Sequence, residues 1–167
     1  FIVFNEHNYP LLCKFFDNLG VNSYESDMSF SVSITHNNLQ YSGTNLFSIF
    51  AQPKNIIKLN FWRMLFEIVR FNRNVEKDVK SFSNLTIDQY LKKKKYSNYY
   101  MYNHLYPMAG SIWSSKVGDI KNYPFDKFVS FFANHGLLKI FNRQKWRTVK
   151  DGSRSYVEKI LKNKKIK

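Results

Sequence analysis

The sequence predicts an α+β chain, with a mostly helical block and one β-hairpin flanked by strand–helix pieces of a larger α/β domain. Three observations carry this. Apolar residues recur at helical spacing through most of residues 46–140. Strict alternation is confined to Met28, Phe30, Val32 and Ile34, which are separated by Ser29, Ser31 and Ser33. Each end pairs a short apolar run with a helix but has no parallel sheet to join within 167 residues, and one hairpin is a poor centre for a fold.

Residues 1–4 read as a short buried strand and 5–7 as a loop. Pro10 suits a first helical turn, Leu11, Leu12, Phe15, Phe16 and Leu19 continue the helix, and Gly20 stops it. The alternating strand turns at His36-Asn37-Asn38 and returns through Leu39-Gln40-Tyr41. A short helix over 46–52 ends before Pro53. Asn60 is the expected cap of a long helix reaching about Lys80. Thr86-Ile87-Asp88-Gln89 is a capping box, and Ser97 caps a further helix with an expected kink at Pro107. Pro124 opens a phenylalanine-rich helix ended by Gly136. A strand over 146–149, a turn at Asp151-Gly152 and a Ser153-capped helix complete the chain.

Composition narrows the class. The chain has 44% hydrophobic and 18% aromatic residues, enough for a sizeable core and against intrinsic disorder. A single cysteine, Cys13, excludes an intrachain disulfide and fits a reducing compartment. No apolar run approaches the roughly 20 residues of a membrane-spanning helix. The expected location is therefore cytoplasmic, with peripheral membrane contact left open. Phe1 opens inside an apolar run, so a preceding segment is expected. The net charge of +14 has two readings. One is an anionic partner, making the chain a basic helical module for nucleic acid or an anionic membrane surface, with Lys92–Lys95 as its focus. The other is codon bias, because six of the 26 basic residues are Arg and the chain is crowded with Asn, Ile, Phe and Tyr. Codon bias is the preferred reading, and no specific nucleic-acid partner is expected.

The usual catalytic signatures are missing. There is no Gly-x-Gly-x-x-Gly, no P-loop and no Gly-x-Ser-x-Gly elbow. His7, His36, His104 and His135 occur singly, so no metal site is expected. Cys13 lies on the apolar face of the first helix and reads as a core thiol. The distinctive features are ordered segments. They comprise Phe1-Ile2-Val3-Phe4-Asn5-Glu6 with Tyr9-Pro10 and Leu19-Gly20-Val21, and Tyr41-Ser42-Gly43-Thr44-Asn45-Leu46 through Phe50-Ala51-Gln52. Trp62-Arg63-Met64-Leu65, Tyr106-Pro107-Met108-Ala109 with Ile112-Trp113-Ser114, and Asn134-His135-Gly136-Leu137-Leu138 follow. Trp146-Arg147-Thr148-Val149 leads into Gly152-Ser153-Arg154 and Tyr156-Val157.

In this order the segments resemble the interior of a bacterial FAD-dependent oxidoreductase of the flavin amine oxidase superfamily, in its amine oxidase-like or predicted NAD/FAD-binding branch. The resemblance runs over nearly the whole chain. It implies an FAD-binding, Rossmann-like domain that is incomplete here, with the Gly-rich loop upstream of Phe1 and a last FAD-contacting segment beyond Lys167. Residues 1–27 would be an edge piece of that domain, 28–145 the substrate domain with its hairpin over 28–42, and 146–167 a return into the FAD domain. The implied reaction is hydride transfer from a small organic or lipid-like substrate to flavin, with this fragment alone inactive. Asn5 and Tyr9 would line the substrate side. Trp113, His135 and Trp146 are candidate pocket walls, or else two core aromatics and a helix C-terminal histidine. Arg147 would pair with an anionic cofactor or substrate group, or with a surface carboxylate. Gly152 lies in a turn that is commonly Gly-Gly-Ser in the family and is Asp151-Gly152-Ser153 here.

Overall fold

The computed structural model describes residues 3–43, 45–140 and 144–162. It is α+β, with helices dominating and two separate two-stranded antiparallel sheets. The chain divides into two compact units. The described residues of Phe1–Met28 and Phe141–Lys167 make one, and Ser29–Ile140 makes the other.

The first unit holds helix α1 (Pro10–Asn18) and strand β1 (Ser23–Ser26) from one end of the sequence. Its other half, strand β4 (Trp146–Val149) and helix α9 (Ser153–Lys162), comes from the opposite end. The strands pair antiparallel, Ser23 opposite Val149 and Ser26 opposite Trp146. The two end pieces therefore find each other, where the sequence offered no sheet for them. β1 escapes a sequence reading because Ser-Tyr-Glu-Ser carries no apolar alternation. Of the strand expected over 1–4, Phe1 and Ile2 lie outside the described residues. Phe4 makes a single bridge to Arg147, through Phe4 N–H to Arg147 O at 2.9 Å and Arg147 N–H to Phe4 O at 2.8 Å. A small core of Phe4, Phe16, Val21 and Val149 fills this unit, with Phe4 edge-on to Phe16 at 5.2 Å.

The second unit begins with the hairpin of β2 (Ser31–Ile34) and β3 (Leu39–Ser42), closed through left-handed Asn38. Met28–Phe30 stays outside the strand although the alternation includes it. Helix α2 (Leu46–Ile49) is capped reciprocally by Asn45 and Ser48, and is shorter than the expected 46–52 because Pro53 opens a separate 3₁₀ turn. Helix α3 (Leu59–Phe82) starts one residue before Asn60, with Lys58 at the cap, so Asn60 is no cap. It buries Phe61, Met64, Phe71 and Val75. Helix α4 (Ile87–Lys93) has the expected Thr86/Gln89 box, and Ser97 Oγ caps α5 (Asn98–Tyr100).

A π turn over Met101–Leu105 joins α5 to α6 (Tyr106–Trp113), and Tyr106 N–H reaches Met101 O, five residues back. The disturbance expected at Pro107 thus lies in the turn before it. Pro107 has no N–H, so Asn103 O lacks its α-helical donor. Tyr41 Oη from β3 donates to that carbonyl at 2.9 Å instead. After α7 (Val117–Lys121) comes α8 (Phe125–Asn134), closed by left-handed Gly136 as expected. Phe71 meets Tyr90, Tyr96, Tyr100 and Phe128, and Tyr90 stacks on Phe125 at 4.0 Å, forming an aromatic core around α3. In the first unit, Ser153 is the first residue of α9 rather than its cap.

Candidate functional site

A cavity with polar and charged walls lies in the first unit, where the Asn5 loop meets the β1–β4 ribbon. It has a volume of about 280 Å³ and is lined by Asn5, Glu6, His7, Glu25, Gln144, Lys145 and Arg147. Gln144, Lys145 and Arg147 line the cavity, whereas Trp146 between them does not. Arg147 donates from Nε to Ser23 Oγ at 2.9 Å and from Nη2 to Ser23 O at 3.2 Å. Lys145 Nζ lies 2.8 Å from Glu25 Oε1, and that bond holds the Glu25 carboxyl below its ordinary range. With Glu6 added, the walls carry two carboxylates and two cations, so formal charge balances.

Two buried polar atoms here have no partner among the described residues, Asn5 Nδ2 and Gln144 Oε1. Asn5 is 2% exposed. Its Oδ1 accepts from Asn8 N–H at 2.7 Å and its carbonyl from Tyr9 N–H at 3.0 Å, which fixes the side chain and leaves the amide NH₂ unused. An unmet buried donor costs about 1–3 kcal/mol, and a ligand acceptor would recover that.

A smaller cavity of about 130 Å³ has Cys13, Glu6, Asp17, Ser23 and Arg147 on its walls. Burial raises the Cys13 pKa, and the Glu6 and Asp17 carboxylates raise it further. The thiol therefore stays protonated, which suits a packing role better than a nucleophilic one.

The structure thus brings Asn5 and Arg147 to one cavity, with Glu6, His7, Glu25, Gln144 and Lys145, which sequence reasoning passed over. Glu25 was hidden because β1 was. Tyr9 forms the half-buried N-cap of α1 and packs on the small core. Trp146 is half-buried, and Gly152 lies in an exposed left-handed turn with Asp151. Trp113 and His135 belong to the second unit. Trp113 stacks on Tyr123 at 4.9 Å and meets Phe128, Phe131 and Phe132, as a core aromatic does. His135 stacks on Phe131 at 4.0 Å, with Nδ1 2.9 Å from Phe131 O, at the end of α8.

The lysine run is largely engaged within its own unit. Lys92 pairs with Asp88 at 2.7 Å, Lys94 with Asp78 at 3.0 Å, and Lys93 sits 5.3 Å over the Phe82 ring. No group of three or more His, Cys, Asp or Glu among the described residues is arranged to hold a metal ion. No helix among them is long and apolar enough to cross a membrane. Neither the known family models nor the curated proteins match the sequence.

Proposed function

We propose that this chain is the substrate-domain portion, with adjoining edge pieces of the cofactor domain, of an FAD-dependent oxidoreductase of the flavin amine oxidase superfamily. The carrying observation is the order of the six motif segments along the chain. The arrangement of the units supports the same reading, because a helical block lies in sequence between two end pieces that pair as one ribbon. That is how a substrate domain inserted into a cofactor domain is laid out.

The cavity walls fit the uncharged parts of such a cofactor. Asn5 Nδ2 would donate to a ring carbonyl or a hydroxyl, and Gln144 Oε1 would accept from an N–H or O–H. They do not fit the diphosphate, because Glu6 and Glu25 oppose it while Lys145 and Arg147 are committed to Glu25 and Ser23. When bound, flavin supplies the hydride acceptor for a C–N or C–C bond of a small organic or lipid-like substrate. This chain's residues bind and orient.

The test is to purify the product of the complete gene and record its visible spectrum, then identify any cofactor released on denaturation. Oxidised-flavin absorbance that dithionite bleaches is the expected result, together with weakened flavin retention in Asn5→Asp. A colourless protein that takes up no added FAD refutes the reading.

A further inference from the structure

The second unit carries an exposed apolar face that the oxidoreductase reading does not use. It is built from α2, the following turn and the first two turns of α3. Phe47 is 91% exposed, Leu59 85%, Ile57 83% and Phe66 65%, with Ile56 and Trp62 about half exposed. Single exposed apolar residues need no explanation, but six on successive elements do. The exposure is confined to this end of α3, since Arg73, Glu76, Lys77 and Lys80 occupy the exposed positions further along.

Two features identify what this face meets. No acidic residue occurs between Asp27 and Glu67, whereas Lys54, Lys58 and Arg63 stand among the apolar residues. Arg63 is tied to Glu67 at 3.4 Å, while Lys54 and Lys58 form no ion pair among the described residues. The second feature is how Trp62 is held. Its Nε1–H donates to Ile56 O at 2.7 Å, and its ring lies 5.3 Å from Phe50, which packs on core Phe61 at 5.9 Å. The indole N–H is thus satisfied internally, and a firmly seated ring is presented outward. Apolar side chains with cations alone beside them complement an anionic lipid surface, into which such a face can sink to headgroup depth.

We propose that the face formed by Phe47, Ile57, Leu59, Trp62 and Phe66, flanked by Lys54 and Lys58, docks the protein on an anionic membrane surface. The contact is peripheral. The decisive charge is the acid-free segment over 28–66 rather than the Lys92–Lys95 run. The proposal is independent of the flavin reading.

The chain is sedimented with phosphatidylglycerol/phosphatidylcholine vesicles and with pure phosphatidylcholine vesicles at low salt. Binding to the first and much less to the second is expected, with Trp62 quenched by brominated acyl chains. Lys54→Ala and Lys58→Ala should each weaken partitioning roughly fivefold, the equivalent of about 1 kcal/mol per basic residue near such a surface. Leu59→Ser should weaken it about tenfold. The lysine variants keep the test decisive if Leu59→Ser misfolds. Absence of binding to the anionic vesicles, or binding indifferent to all three variants, overturns the proposal. So does a lipid-free dimer that Leu59→Ser disperses, which assigns the face to a second copy of the chain.

Discussion

Tyr41→Phe should destabilise the second unit by about 2 kcal/mol, because one hydroxyl serves the carbonyl that Pro107 strands. Tyr41 is 4% exposed, and its Oη donates to Asn103 O at 2.9 Å. A hydroxyl has one hydrogen, so the contact to His104 Nδ1 at 2.8 Å is made with the imidazole donating. Removing the oxygen leaves a buried carbonyl without its donor and deprives the imidazole of an acceptor. An unmet buried group costs about 1–3 kcal/mol. The Phe ring keeps the edge-on contact with Phe61 at 5.7 Å, so little packing is lost. The decisive control is Pro107→Ala, which restores an N–H at the position from which an α-helix would serve Asn103 O. In that background Tyr41→Phe should cost at least about 1 kcal/mol less. Urea unfolding of the four proteins of the cycle, followed by circular dichroism, measures both values. A single-variant cost below about 0.5 kcal/mol, or the same cost in both backgrounds, refutes the reasoning.

Two further perturbations have definite signs. Glu67 is 3% exposed and accepts from Ser97 N–H at 3.0 Å and from Ser97 Oγ, so Glu67→Gln should lower stability by about 1.5–3 kcal/mol in the same urea assay. An unchanged midpoint would show that the carboxylate is dispensable. Burial pushes the Asp88 carboxyl up, but bonds from Lys92 and the Tyr106 hydroxyl outweigh it and hold the pKa below the ordinary value. Its stabilisation is therefore fully present above the unfolded pKa of about 3.9 and disappears as pH falls through the lower folded value. Thermal melts across that acid range should show a weaker pH dependence in Asp88→Asn; an identical slope counts against it.

Local chemistry was legible in the sequence where a residue type has one dominant use. Thr86 with Gln89, Ser97 and Gly136 each announce a cap or a stop, and each is found, while of the Ser-interleaved alternation from Met28 to Ile34 the part from Ser31 on is strand. What stayed hidden depends on partners distant in sequence. β1 exists because β4 pairs with it across more than a hundred residues, and nothing local in Ser-Tyr-Glu-Ser demands a strand. Asn60 lies two positions inside the actual cap, Lys58, and Ser153 is the first residue of its helix, since a polar residue inside a first helical turn resembles a cap. At the site, Asn5 and Arg147 stood out within their motifs. Glu25, Gln144 and Lys145 became visible only once the ribbon had formed. Trp62 drew notice as a motif residue, but its outward seat depends on the bond to Ile56 O and on Phe50 beneath it.

The β1–β4 ribbon also imposes an order of events during synthesis. Its partners lie about 120 residues apart, as in the Lys145–Glu25 contact. Closing a flexible loop of that length costs about 4 kcal/mol of chain entropy before any strand pair forms. A ribosome must therefore release the whole helical block before α1 and β1 can find β4 and α9. If that block has already collapsed around α3, a rigid body replaces most of the flexible loop and the closure penalty falls. The apolar side of α1 spends that interval uncovered, when a chaperone or a neighbouring nascent chain can capture it. Destabilising substitutions in α3 would then reduce yield through the ends of the chain, far from where they act.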